Sequence, residues 1–119
     1  MDKPLFDWVR RQNGTSEFEE FLTNLSMDDR QELLAVIERT EEHGLLIAIK
    51  QKWVKKLDKD MYELRSSRKG NIQRAIYFQK VGNQYLITHG FTKKTQKTPK
   101  REIEHAKDIR ENYKKGLLK

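Results

Sequence analysis

The chain has 119 residues, enough for one hydrophobic core and too few for two comfortable ones. Of these, 36% are charged and 35% hydrophobic, so the core is small and the surface dense in charge. There is no cysteine, which excludes disulfides, cysteine-based zinc sites and thiol nucleophiles. The net charge of +7 is unevenly spread. Residues 1–44 hold five basic and eleven acidic side chains, whereas residues 45–119 hold twenty basic and seven acidic. A surface of the second kind attracts polyanions or an acidic partner. No apolar run reaches the ~18 residues of a membrane span. The segment MDKPLFDWVRRQ lacks the apolar centre of a secretory signal. The protein is therefore expected to be soluble and cytoplasmic.

In chain order, PLFDWV (Pro4–Val9) predicts a first strand, followed by a turn at Asn13-Gly14. Ser16 and Glu19 have capping-box spacing, and Phe18, Phe21, Leu22 and Leu25 follow at helical spacing. Ser26 opens a second helix, with Asp28 and Asp29 in the first turn and Leu33, Leu34 and Ile37 as its apolar stripe. Gly44 should end it. The stretch LLIAIKQKWVKKLDKD fits strand or helix by periodicity and is read as an irregular or helical connection. Three strands then follow, Met61–Arg68, Ile72–Gln79 and Gln84–Lys93, separated by the short turns Lys69-Gly70-Asn71 and Val81-Gly82-Asn83. Such spacing implies an antiparallel meander. Thr98 as cap and Pro99 in the first turn suit a final helix, packed through Ile103, Ala106, Ile109 and Tyr113 and ended by Gly116. The fold class is α+β, in a single domain over 1–119.

Side-chain alternation puts Glu63 and Arg65 on one face, Arg74 with Ile76 and Phe78, and Tyr85, Ile87, His89, Phe91 and Lys93 together. If helices cover only one side of the sheet, the open side is cationic and interleaved with aromatic rings. That composition suits RNA: arginine forks grip phosphate, lysines add charge and rings stack bases. For Arg65 the competing reading is an ion pair with Glu63. Arg74 sits in an otherwise apolar strand, where a charge is hard to place without a purpose. His43, His89 and His105 match no metal-ligand spacing, and there is no phosphate-binding glycine loop. His89 is a candidate general base, with a hydrogen-bonded structural histidine as the alternative.

MYELRSSRKGNIQRAIYF, followed by LITHGFTKKTQKTPKREIEHA, resembles the HigB branch of the RelE/ParE toxin superfamily, phage-derived relatives included. The resemblance runs from about Leu57 to the last helix. It implies a RelE-like fold, with an antiparallel sheet packed against a helical hairpin and a C-terminal helix. It also implies a ribosome-dependent endoribonuclease that cuts messenger RNA in the A site by 2′-OH attack, with no metal or other cofactor. The implied partners are a HigA-type helix-turn-helix antitoxin, the ribosome with its 16S RNA, and messenger RNA. Neither a membrane nor a small-molecule substrate is implied. Carried over by position, Arg65, Arg74, Lys93 and Lys94 are the candidate catalytic residues. The two arginines would stabilise the phosphorane, and one lysine would move the proton. Arg68, Lys97, Tyr85 and His89 are candidate RNA contacts. Two alternatives remain: a ParE-like toxin acting on DNA gyrase, and a non-catalytic RNA-binding phage accessory protein.

Overall fold

The computed structural model describes residues 3–93 and 97–119. Its elements are β1 (Leu5–Trp8), α1 (Glu17–Asn24), α2 (Met27–His43), α3 (Leu45–Lys50), β2 (Val54–Asp58), β3 (Met61–Arg68), β4 (Asn71–Val81), β5 (Gln84–Lys93) and α4 (Lys100–Lys114). They form an α+β fold whose sheet has the order β1-β5-β4-β3-β2. The β2–β5 strands are antiparallel, as the short turns require. At the β3–β4 turn, Lys69 and Gly70 both have positive φ (51° and 84°), the backbone that a tight twisted hairpin needs.

The structure corrects the expected sheet in two places. VKKLD within the ambiguous stretch is a strand, β2, which pairs with β3 at the sheet edge. Its Lys55 and Lys56 lie exposed, so it carries almost no apolar signal. β1 runs parallel to β5, with Leu5 opposite Gln84 and Trp8 opposite Ile87, rather than antiparallel as expected.

The helix starts follow the sequence. Ser16 accepts from Phe18 N and Glu19 N, and Ser26 accepts from Asp29 N, so orphan donors of both first turns are satisfied. Gly44, at φ 95°, ends α2. The buried stripe of α2 is Leu33, Val36, Ile37 and Thr40, whereas Leu34 faces outward, against expectation.

Both sheet faces are covered, which overturns the expected open face. On one, Phe18 and Leu22 of α1 and Leu33 and Val36 of α2 pack on Leu64, Ala75, Tyr77 and Ile87. On the other, Ala106 and Ile109 of α4 close over Met61, Ile76, Phe78, Leu86 and Phe91. One face of β5 serves both layers in turn because of a register shift. Ile76 pairs with His89 but Tyr77 pairs with Ile87, leaving Thr88 as the extra residue of a bulge. Tyr85 and Ile87 therefore face α1 and α2, while His89 and Phe91 face α4, not the single shared face that strict alternation predicts.

Candidate active site

The far ends of β3, β4 and β5 gather the candidate arginines. Arg65 and Arg74 are direct cross-strand partners, Arg74 lies opposite Phe91, and Lys93 lies opposite Ile72. Between the arginines sits Glu63, fully buried, with Oε2 3.5 Å from Arg65 Nε and 3.5 Å from Arg74 Nη1. Arg74 is itself fully buried. Its Nη1 donates to Thr98 Oγ1 at 2.9 Å, and the Thr98 hydroxyl donates to Glu63 Oε1 at 2.7 Å. Thr98 is thus a bridge that ties the approach to α4 onto the sheet. It is not the expected side-chain cap, because the N-cap of α4 is Pro99, with no side-chain cap bond.

Among the described residues, the guanidiniums of Arg65 and Arg74 both face the carboxylate of Glu63. Burial pushes the Arg74 pKa down, opposed by the charge of Glu63 and reinforced by that of Arg65. An arginine nevertheless stays protonated in a protein. Arg65 is the member of the cluster that reaches the surface, with 17% of its side chain exposed. The ion pair with Glu63 weighed for Arg65 is present, and it coexists with this exposure. Arg74 does not line an open surface, contrary to the sequence expectation. Of the two guanidiniums, only that of Arg65 is presented to solvent.

Further cations ring this end of the sheet. Lys93 is half-buried and Lys97 exposed. Arg68 is exposed and pairs at 3.4 Å with Asp28 of α2. Lys94 lies outside the described residues.

Tyr85 and His89 do not join them. Tyr85 lies six residues back along β5, roughly 20 Å away at strand rise. There it packs with Phe6 and Tyr77 on the opposite face, and burial raises its hydroxyl pKa. His89 is on the Arg74 face but is covered by α4. Its Nε2 lies 3.0 Å from Glu102 Oε1 and its Nδ1 3.0 Å from Thr88 Oγ1. Burial lowers the His89 pKa, opposed by the bond to Glu102 and reinforced by neighbouring His105. This is the structural-histidine alternative, since a general base must reach the proton it removes.

Sequence reasoning missed Thr98 as a partner of Arg74. The only local signal was a threonine before Pro99, which a helix cap explains equally well. Among the described residues no group of three or more His, Asp or Glu side chains is placed to hold a metal ion. No helix among them is long and apolar enough to cross a membrane.

Residues 20–111 match the model of a family described as Phage derived protein Gp49-like (DUF891). A comparison with curated proteins gives no match. The matched span begins within α1, ends within α4 and contains the whole Glu63–Arg65–Arg74–Thr98 cluster. The chain thus belongs to the phage-derived Gp49-like family, which lies within the RelE/HigB-type toxin–antitoxin superfamily.

Proposed function

We propose that the protein is a toxin of HigB type, a ribosome-dependent endoribonuclease that cleaves messenger RNA in the A site and arrests translation. The observation that supports this reading most is the pair of arginines held around Glu63, with Arg65 reaching the surface beside the β5 end that carries Lys93. In-line attack by a 2′-OH adds negative charge to the scissile phosphate, and a fixed cation there favours the transition state over the ground state. Arg65 takes that role. Arg74 and Thr98 act as positioning residues: they hold Glu63, which in turn orients Arg65. Lys93 or Lys94 accepts the 2′ proton. The P–O5′ bond breaks as the new P–O2′ bond forms, and the departing 5′ oxygen takes its proton from water or from the other lysine. The products are a 2′,3′-cyclic phosphate and a 5′-hydroxyl. Arg68 and Lys97 hold flanking phosphates.

The same reading makes residues 1–119 one domain working in the cytoplasm. Its substrate is the message, met on its partner the ribosome with its 16S RNA. A HigA-type helix-turn-helix antitoxin restrains it.

Primer-extension mapping of a message in a reconstituted translation reaction tests the proposal, comparing wild type with Arg65→Ala. Cuts should appear only with translating ribosomes and should slow about 10²–10³-fold in the variant, the loss typical of one charge-stabilising contact. An intact message with active wild-type protein would refute the nuclease reading, and inhibition of gyrase supercoiling would then favour the ParE-like one.

A further inference from the structure

Beside Arg65, on the side facing α2, lies a cleft of about 300 Å³ between α2 and the β2–β3 edge. Glu32 and Arg39 reach it from α2, Lys52 and Trp53 from the approach to β2, and Arg65 and Ser66 from β3. We propose that this cleft is a nucleobase pocket. It takes one unpaired base of a single-stranded RNA, stacked at Trp53 and Arg39, with the attached phosphate on Lys52 and Arg65. The proposal rests on the reading of the protein as RNA-directed and adds to it where the base beside the bound phosphate goes.

Several features converge there. The volume is at the lower end for small-ligand pockets, room for a base and little more. Trp53 is half-buried, and the Arg39 guanidinium stands 5.2 Å from its ring centroid, so a flat aromatic and a flat cation border the same space. The Ser66 hydroxyl is buried, at 4% exposure, and has no hydrogen-bond partner among the described residues. Such a group calls for a ligand or a water. Lys52 is held at φ 66°, a left-handed conformation unfavourable for a side chain with a Cβ, at the rim of the cleft. Arg39 and Lys52 both border the cleft beside the single carboxylate of Glu32, so the cleft is suited to an anion that also carries a planar ring. Glu32, 3.5 Å from Arg39, supplies the one carboxylate, and a carboxylate accepts two parallel N–H donors. Guanine offers two adjacent N–H groups on one edge, whereas uracil offers one. The pocket should therefore prefer guanine. An apolar protein side chain would leave both the cations and Ser66 unanswered.

The test is an NMR titration of the whole ¹⁵N-labelled protein with 2′-O-methylated tetranucleotides, one containing a single guanine among uridines and one all-uridine. The methyl groups block cleavage, so binding is read apart from catalysis. The Trp53 indole and the Ser66, Ser67 and Ile72 amides should shift and saturate, with the guanine oligomer binding several-fold more tightly. The Trp8 indole, on β1 at the opposite sheet edge, should stay still. Trp53→Ala should weaken binding about tenfold. Glu32→Gln, which leaves the core untouched, should erase the guanine preference even if the tryptophan variant misfolds. Shifts confined to Lys93 and Lys97, with the Glu32 variant binding as wild type, would overturn the pocket while leaving the RNA reading intact. Absence of any shift at millimolar oligomer would also overturn it, and the translation assay would show separately whether the nuclease reading falls too.

Discussion

Arg65 and Arg74 are Cα partners across one ladder, yet they differ in what they can touch. Replacing Arg74 by alanine removes the fully buried cation beside the buried Glu63 carboxylate, a change that typically costs about 3–5 kcal/mol. Urea titration of Arg74→Ala should show this loss, and its activity then cannot be separated from its stability. Arg65→Ala should cost less than Arg74→Ala, because Glu63 keeps both Arg74 and the Thr98 hydroxyl as partners. That makes it the cleaner probe of chemistry. His89 supplies a pH dependence with a definite sign. Its folded pKa is lowered, chiefly by burial. The unfolded chain therefore binds the proton more readily, and stability falls as pH drops below about 6.5, levelling off beneath the folded pKa. His89→Gln should flatten this part of the profile when melting temperatures at pH 7.5 and 5.5 are compared. An equal drop in both proteins would remove His89 as the cause. Both arginines could be singled out in the sequence, as a charge in an apolar strand and a charge two residues from a glutamate. Burial could not, because it depends on Thr98, 24 residues along the chain, folding back to meet Arg74.

The elements most visible in the sequence are those with strong periodicity or strong punctuation. The bounds of β3 and β5 match the expected ones, and α1, α2 and α4 start where serine or proline signals them. β2 escaped because an edge strand faces solvent along much of its length and needs no apolar run. The bulge at Thr88 escaped because one inserted residue leaves composition unchanged while it reverses every side chain beyond it. Here the Thr88 hydroxyl donates to Ile76 O at 3.1 Å, fixing the irregular stretch to the neighbouring strand. Two residues on, Gly90 has no side chain, and an added Cβ would overlap the ring of Phe21, which packs α1 against β5. Gly90→Ala should therefore destabilise by about 1–3 kcal/mol, as overpacking does. A chemical-denaturation midpoint unchanged from wild type would mean that Phe21 moves aside freely.

Across the molecule, the acid collects on α1 and α2, and the basic excess collects from residue 45 onward. A single-stranded RNA held through three phosphates should lose about twentyfold in affinity between 50 and 200 mM salt. Lys93→Ala should reduce the slope of log affinity against log salt by about 0.7, which fluorescence anisotropy can read. An unchanged slope would take Lys93 off the phosphate path. This polarity was plain in the residue counts, but its placement was not, since only the folded chain decides which strand ends adjoin. The parallel seating of β1 on β5 has a consequence for timing. Leu5 pairs with Gln84, so the first strand to leave the ribosome has no neighbour until the fifth is made. At ordinary rates of synthesis that interval is about 4–16 s. Until then the chain is only a growing peptide with an open edge, so any partner able to occupy that edge could intercept it before the sheet closes.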